Sequence, residues 1–335
     1  MRIVILGLLA SACVQPSETP PLKPLKTDTG LAVTTPTATT TATGGSTTTP
    51  TLTVDCEDLA DAPLSMQTFD IETTEDFDFD ADGNMVFAQW LGSTLFGVDY
   101  NLNVTIISAG VHDTRGISVL EDGRIIIAYI GSGVVGVIDP TTGSNTNLIT
   151  GLASPNALEV GQNDVVYFSE TGFGSERVRQ FNIQTQESTP VADGFSYPNG
   201  LVINETHDVL YVSDSSDGVY EVRKNPDGTW AEKELLFNPP GFGSYDGLEV
   251  DACGNLYILG FGSGQVARLD PDVRPLEYTI LAELENSDAF LWNAMHWGSD
   301  RGGWRRDTLY VTDRNKIFAL ELGVPGKAQP VDSMP

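Results

Sequence analysis

The chain has 335 residues, is 40% hydrophobic, and carries three cysteines and a formal charge of −28, enough apolar material for one large core or two small ones. Residues 1–54 hold Arg2, Lys23 and Lys26 against Glu18 and Asp28, a net +1, so residues 55–335 carry −29. A domain this acidic repels phosphate backbones and anionic lipid, which argues against nucleic acid as a partner.

The first thirteen residues, MRIVILGLLASAC, run from one basic residue through an apolar stretch to small residues ending at Cys13. That is the outline of a bacterial export signal, too short to span a bilayer as a mature helix. The ending A-S-A-C is similar to a lipobox with Ala10 where leucine is usual. We therefore expect a cell-envelope lipoprotein whose only membrane attachment is a lipid on Cys13; plain secretion or a misassigned start are the alternatives. Residues 14–54 read as a disordered linker. Eleven of the eighteen residues from Thr34 to Thr51 are threonine, and no charge occurs from Thr29 to Val54, so nothing there can bury a core. With Cys13 assigned to lipid, Cys56 and Cys253 remain as a candidate disulfide, two free buried thiols being the alternative.

From residue 55 to 326 the chain repeats itself, leaving 327–335 as a tail. A polar residue, a small residue, an alternating apolar run and a tight turn recur six times. The copies begin at Glu75, Arg115, Asn156, Asn199, Asp246 and Asn293, at steps of 40, 41, 43, 47 and 47. Four short strands per copy describe a propeller blade. The sequence predicts an all-β, six-bladed β-propeller, with residues 65–71 completing the last blade from the other end of the chain. The carboxylate-rich stretch from Asp78, D-F-D-A-D-G-N, superficially resembles a helix-loop-helix calcium loop. The twelfth position holds Gln89 instead of glutamate, and the following M-V-F-A-Q-W reads as strand; that reading is rejected.

Pseudo-symmetry brings the six starting residues to one end of the central channel. Two carboxylates, three amides and one arginine then share a rigid ring, an oxygen-rich set suited to a hard divalent cation. The segments E-D-F-D-F-D-A-D-G-N, S-P-N-A-L, Y-P-N-G-L and Y-D-G-L resemble those of the regucalcin–gluconolactonase family and its relatives the paraoxonases. That resemblance covers roughly residues 70–325. It implies Glu75, Asn156, Asn199 and Asp246 as metal ligands, Asp246 also as general base, and a monomeric hydrolase of small lactones or related esters. One divalent cation is expected, calcium first, with zinc, magnesium or manganese as alternatives.

Three departures from the family pattern bear on function. Ser154 and Ala157 stand where sugar-lactone enzymes of the family often carry Arg and Asp, and Ala157 also weakens a second, structural calcium site of the paraoxonase type. Arg115 stands where paraoxonases carry a histidine; it could hold a substrate carbonyl or pair with a ring carboxylate. Asn293, Trp292 and His296 complete the expected substrate wall, and His112 is expected near the same end. His207 reads as a solvent-facing turn residue, and Phe290, Trp297 and Trp304 as filling between blades. A non-catalytic cell-surface binding module that keeps the metal for rigidity is the competing expectation.

Overall fold

In the computed structural model, the described residues are 56–72, 75–88, 92–285, 293–313 and 315–333. Trp292, Phe290, Gln89, Cys13 and the whole linker lie outside them. The described chain forms six four-stranded antiparallel sheets. Their innermost strands are Phe77–Phe79, Thr114–Val119, Pro155–Gly161, Pro198–Ile203, Tyr245–Val250 and Met295–Trp297. Two short 3-10 turns are the only helical pieces among these residues, and neither is long enough to cross a membrane.

In blades 1 to 5 each sheet runs in chain order from the channel outward. Blade 6 instead takes its outermost strand from the other end of the chain: Ser65–Phe69 pairs with Ile317–Glu321, Ser65 opposite Glu321. The ring is thus closed by strand exchange between the two ends, which leaves no blade with a missing edge. Inner-strand residues alternate between the two faces of each sheet, and the core lies between adjacent sheets. Trp304 packs with Phe69, Phe79 and Tyr310 at the junction of blades 6 and 1. Trp297 packs with Tyr257 and Leu259 between blades 5 and 6. Both tryptophans fill space between blades, as expected.

The stretch that resembled a calcium loop is a hairpin turn. Asp80 Oδ1 accepts the backbone N–H groups of Asp82 and Asn84 at 3.0 and 2.8 Å. Asp251 does the same for Cys253 and Asn255 in blade 5. These carboxylates supply the turn's acceptors. The turn at Cys253 carries the bridge to Cys56, with Cα atoms 5.6 Å apart and 197 residues between the two positions. A loop this long loses much chain entropy when closed, about 5 kcal/mol on the chain-entropy relation. We expect a non-reduced digest to yield the linked peptides and reductant to lower the melting temperature by several degrees. Two alkylatable thiols in protein from its natural source would contradict the bridge.

The chain past residue 326, read as a tail, is partly interior. Gly326 bridges to Asp251, Lys327 N donates to Val250 O at 3.1 Å, and the Lys327 residue is only 5% exposed. The tail crosses the end of the channel opposite the ring residues.

Candidate active site at the channel mouth

The ring residues owe their direction to a repeated irregularity. In blades 2 to 5 the pairing of the inner strand slips between Thr114 and Ile117, Pro155 and Leu158, Pro198 and Leu201, and Tyr245 and Leu248. Each slip falls at the ring residue and the small residue after it. A bulge there re-aims the side chain away from the regular pleat. The small residue is equally constrained. A Cβ on Gly116 would stand 2.5 Å from Asn156 O, and one on Gly200 would stand 2.2 Å from Asp246 O. Arg115-Gly116 and Asn199-Gly200 therefore mark close approaches of neighbouring inner strands.

Five of the six ring residues, Glu75, Asn156, Asn199, Asp246 and Asn293, line one small pocket together with Asp76 and His296. Arg115 stands beside it, its Nε 2.6 Å from Glu75 Oε2. Of the two roles open to Arg115, the structure shows the ion pair to a ring carboxylate. Asn156 Nδ2 donates to Asn199 Oδ1 at 2.7 Å, and Asn199 Nδ2 donates to Ser215 Oγ at 3.2 Å. Hydroxyls then lock blade to blade: Ser169 Oγ donates to Asn199 O at 2.9 Å, and Ser213 Oγ to Asp246 O at 2.7 Å. Buried Asp214 accepts the N–H groups of Ser196 and Tyr197 at 2.6 and 3.1 Å, fixing the loop that leads into Asn199.

A second polar layer lies deeper. Three residues past each ring position stand Asp78, Ser118, Glu159, Val202, Glu249 and His296. His296 Nε2 is 2.9 Å from Asp76 Oδ1, and its Nδ1 is 2.9 Å from Glu249 Oε1. Burial disfavours a charged ring, yet Asp76 and Glu249 together hold the His296 pKa well above the ordinary imidazole range. Burial pushes the Asp78 carboxyl up to about 7, against the pull of His296 and two backbone N–H donors. Burial likewise raises Glu159, although Lys327 opposes it. A group raised in this way destabilises the fold as pH rises through its pKa, because the folded state resists losing the proton.

Sequence reasoning singled out the ring residues and His296 and missed the carboxylates of this layer. The signal was available, since Asp78, Glu159 and Glu249 share one phase of the repeat. His112 is exposed near the mouth but does not line the pocket. His207 sits in a turn at the opposite end, half-buried, with Nδ1 accepting from Gln162 N at 3.4 Å.

The donors at the mouth suit a hard cation: two carboxylates and two amides, all oxygen. Asn199 Oδ1 keeps a second lone pair after accepting from Asn156. Among the described residues no three His, Cys, Asp or Glu side chains gather as a ligand set.

Fold and site together define a six-bladed propeller with a polar, oxygen-lined pocket at one end of its channel. Residues 79–283 match the SMP-30/Gluconolactonase/LRE-like region, and the chain belongs to that family. A gluconolactonase of Zymomonas mobilis is 25% identical over 171 residues, covering 43% of this chain and 48% of that protein. The chain thus spans about half the length of this curated relative. Among solved structures, a gluconolactonase from Xanthomonas campestris superposes with a TM-score of 0.64 at 19% identity, over 79% of this chain and 91% of the other. A calcium-binding regucalcin from Agrobacterium tumefaciens superposes with a TM-score of 0.61 at 16% identity, over 81% and 94%. The two structures establish likeness of fold.

Proposed function

We propose that the protein is a divalent-metal-dependent hydrolase of lactones or related esters. Glu75, Asn156, Asn199 and Asp246 would hold the cation, calcium first. The observation that carries this is the convergence of these four residues, from four blades, on one pocket in a member of the gluconolactonase family. When bound, the cation would polarise the substrate carbonyl and stabilise developing oxyanion charge.

The chain's own residues supply the rest. Asp246, only 7% exposed, takes the proton of the attacking water as general base. Asn293 and His296 form the wall beside it, and the Asn156–Asn199 hydrogen bond holds two amides in fixed orientation. Arg115 steadies Glu75 by their ion pair. The disulfide supports an exported protein, because such bridges persist in oxidising compartments.

Arg115 also supports a second reading, in which the pocket binds without turnover. Its guanidinium already neutralises Glu75, one of only two carboxylates in the ring. A panel of lactones and aryl esters, assayed with calcium, magnesium and zinc, separates the two. Metal should also raise the melting temperature with its concentration, and Glu75→Gln should blunt that response. An identical melting curve for metal-stripped and calcium-loaded protein would sink the metal site.

A further inference from the structure

Four carboxylates lie at or just past the ring positions of blades 1, 3 and 5: Asp76, which lines the pocket, and Asp78, Glu159 and Glu249. Buried carboxylates need partners or protons. Asp76 Oδ2 and Asp78 Oδ2 each take one N–H from the next blade, Ile117 at 3.0 Å and Val119 at 2.9 Å. Two cationic side chains supply the rest from opposite directions. His296 comes from blade 6 and stands between Asp76 of blade 1 and Glu249 of blade 5, 2.9 Å from each. Lys327 comes from the tail, where its Nζ pairs with Glu159 and donates to Ile203 O at 2.9 Å. A carboxylate only accepts, so a ring held between two of them donates to both only when both nitrogens carry protons. Glu249 Oε2 has no partner although the residue is 3% exposed. With His296 gone, neither oxygen of Glu249 keeps the hydrogen bond shown here.

We propose that His296 and Lys327 are built-in counter-ions, supplying the positive charge that a second cation would otherwise bring to the channel, so that a divalent ion loads only at the upper ring. The last clause rests on the upper ring being a cation site; the counter-ion role does not. The position between Asp76 and Glu249 becomes a latent cation seat, closed by the imidazole.

Calcium bound per chain, counted by elemental analysis after equilibrium dialysis, tests this in four proteins. The wild type should hold one ion, Glu75→Gln should lose it, and Glu249→Gln should keep it. His296→Ala should gain an additional ion, and added imidazole should expel that one alone. Two ions in the wild type would overturn the proposal, as would a single ion that survives Glu75→Gln but is lost in Glu249→Gln. Should His296→Ala not fold, nitrogen-15 spectra of the wild type decide instead. The chain has three histidines, so His112→Gln and His207→Gln identify the His296 signals by elimination. Both ring nitrogens should remain protonated well above the ordinary imidazole range; a neutral ring there refutes the counter-ion. A wild type that binds no calcium at all contradicts the proposed hydrolase site, while the spectra still decide the role of His296.

Discussion

Replacing Asp246 by asparagine should lower turnover about a hundredfold or more, the scale for losing a general base, while leaving the fold intact. Asn fills nearly the same volume, and one contact between blades at this position runs through the backbone: Asp246 O accepts Ser213 Oγ at 2.7 Å. An amide oxygen still serves a cation but cannot take a proton, so metal affinity should fall only modestly. Measuring turnover against calcium concentration separates the two roles. A loss that persists at saturating metal marks the base. Full recovery at saturating metal would leave Asp246 as a ligand alone and show the base assignment to be wrong.

Gly200→Ala should be strongly destabilising for a single added methyl. The added carbon meets Asp246 O at 2.2 Å and Asp246 C at 3.0 Å, backbone atoms that cannot swing aside. Overpacking of this kind typically costs about 1–3 kcal/mol, and here the strand that must yield carries Asp246. Thermal stability and calcium response should fall together. Gly247→Ala is the internal comparison, since its nearest contacts are 3.1 Å and the corresponding places in blades 3 and 6 already hold Ala157 and Ala294. It should cost distinctly less. Equal melting temperatures for wild type and Gly200→Ala would mean the inner strands do not approach so closely in solution.

The same positions show how far sequence alone could reach. Repetition of a polar residue, a small residue and an apolar run was enough to count six blades and to bring Glu75, Asn156, Asn199 and Asp246 together. It was also enough to assign residues 65–71 to the closing strand, of which Ser65–Phe69 pair with blade 6. Asp78, Glu159 and Glu249 escaped because a single carboxylate inside an alternating strand looks like a solvated position. Only superposing the copies three residues further along exposes them. Lys327 had no such cue, as it lies beyond the last repeat and its burial depends on how the tail crosses blades 3 to 6. The glycines were legible as the small residue after each ring position, but their cause was not: the bulge and the close approach arise from packing six inner strands around one axis.

The Cys56–Cys253 bridge has a mechanical consequence. The strand Ser65–Phe69 is held at the rim of blade 6 by backbone hydrogen bonds to Ile317–Glu321, which a pull on the preceding chain would break one after another, like a zip. The bridge lies upstream of that strand and is anchored in a turn of blade 5. Tension arriving along the polypeptide from before Cys56 therefore passes through a covalent bond into blade 5, and the eight residues between Cys56 and the closing strand carry none of it. That turn lies at the end of the inner hairpin away from Asp246, so the load enters the ring at the end opposite the pocket mouth.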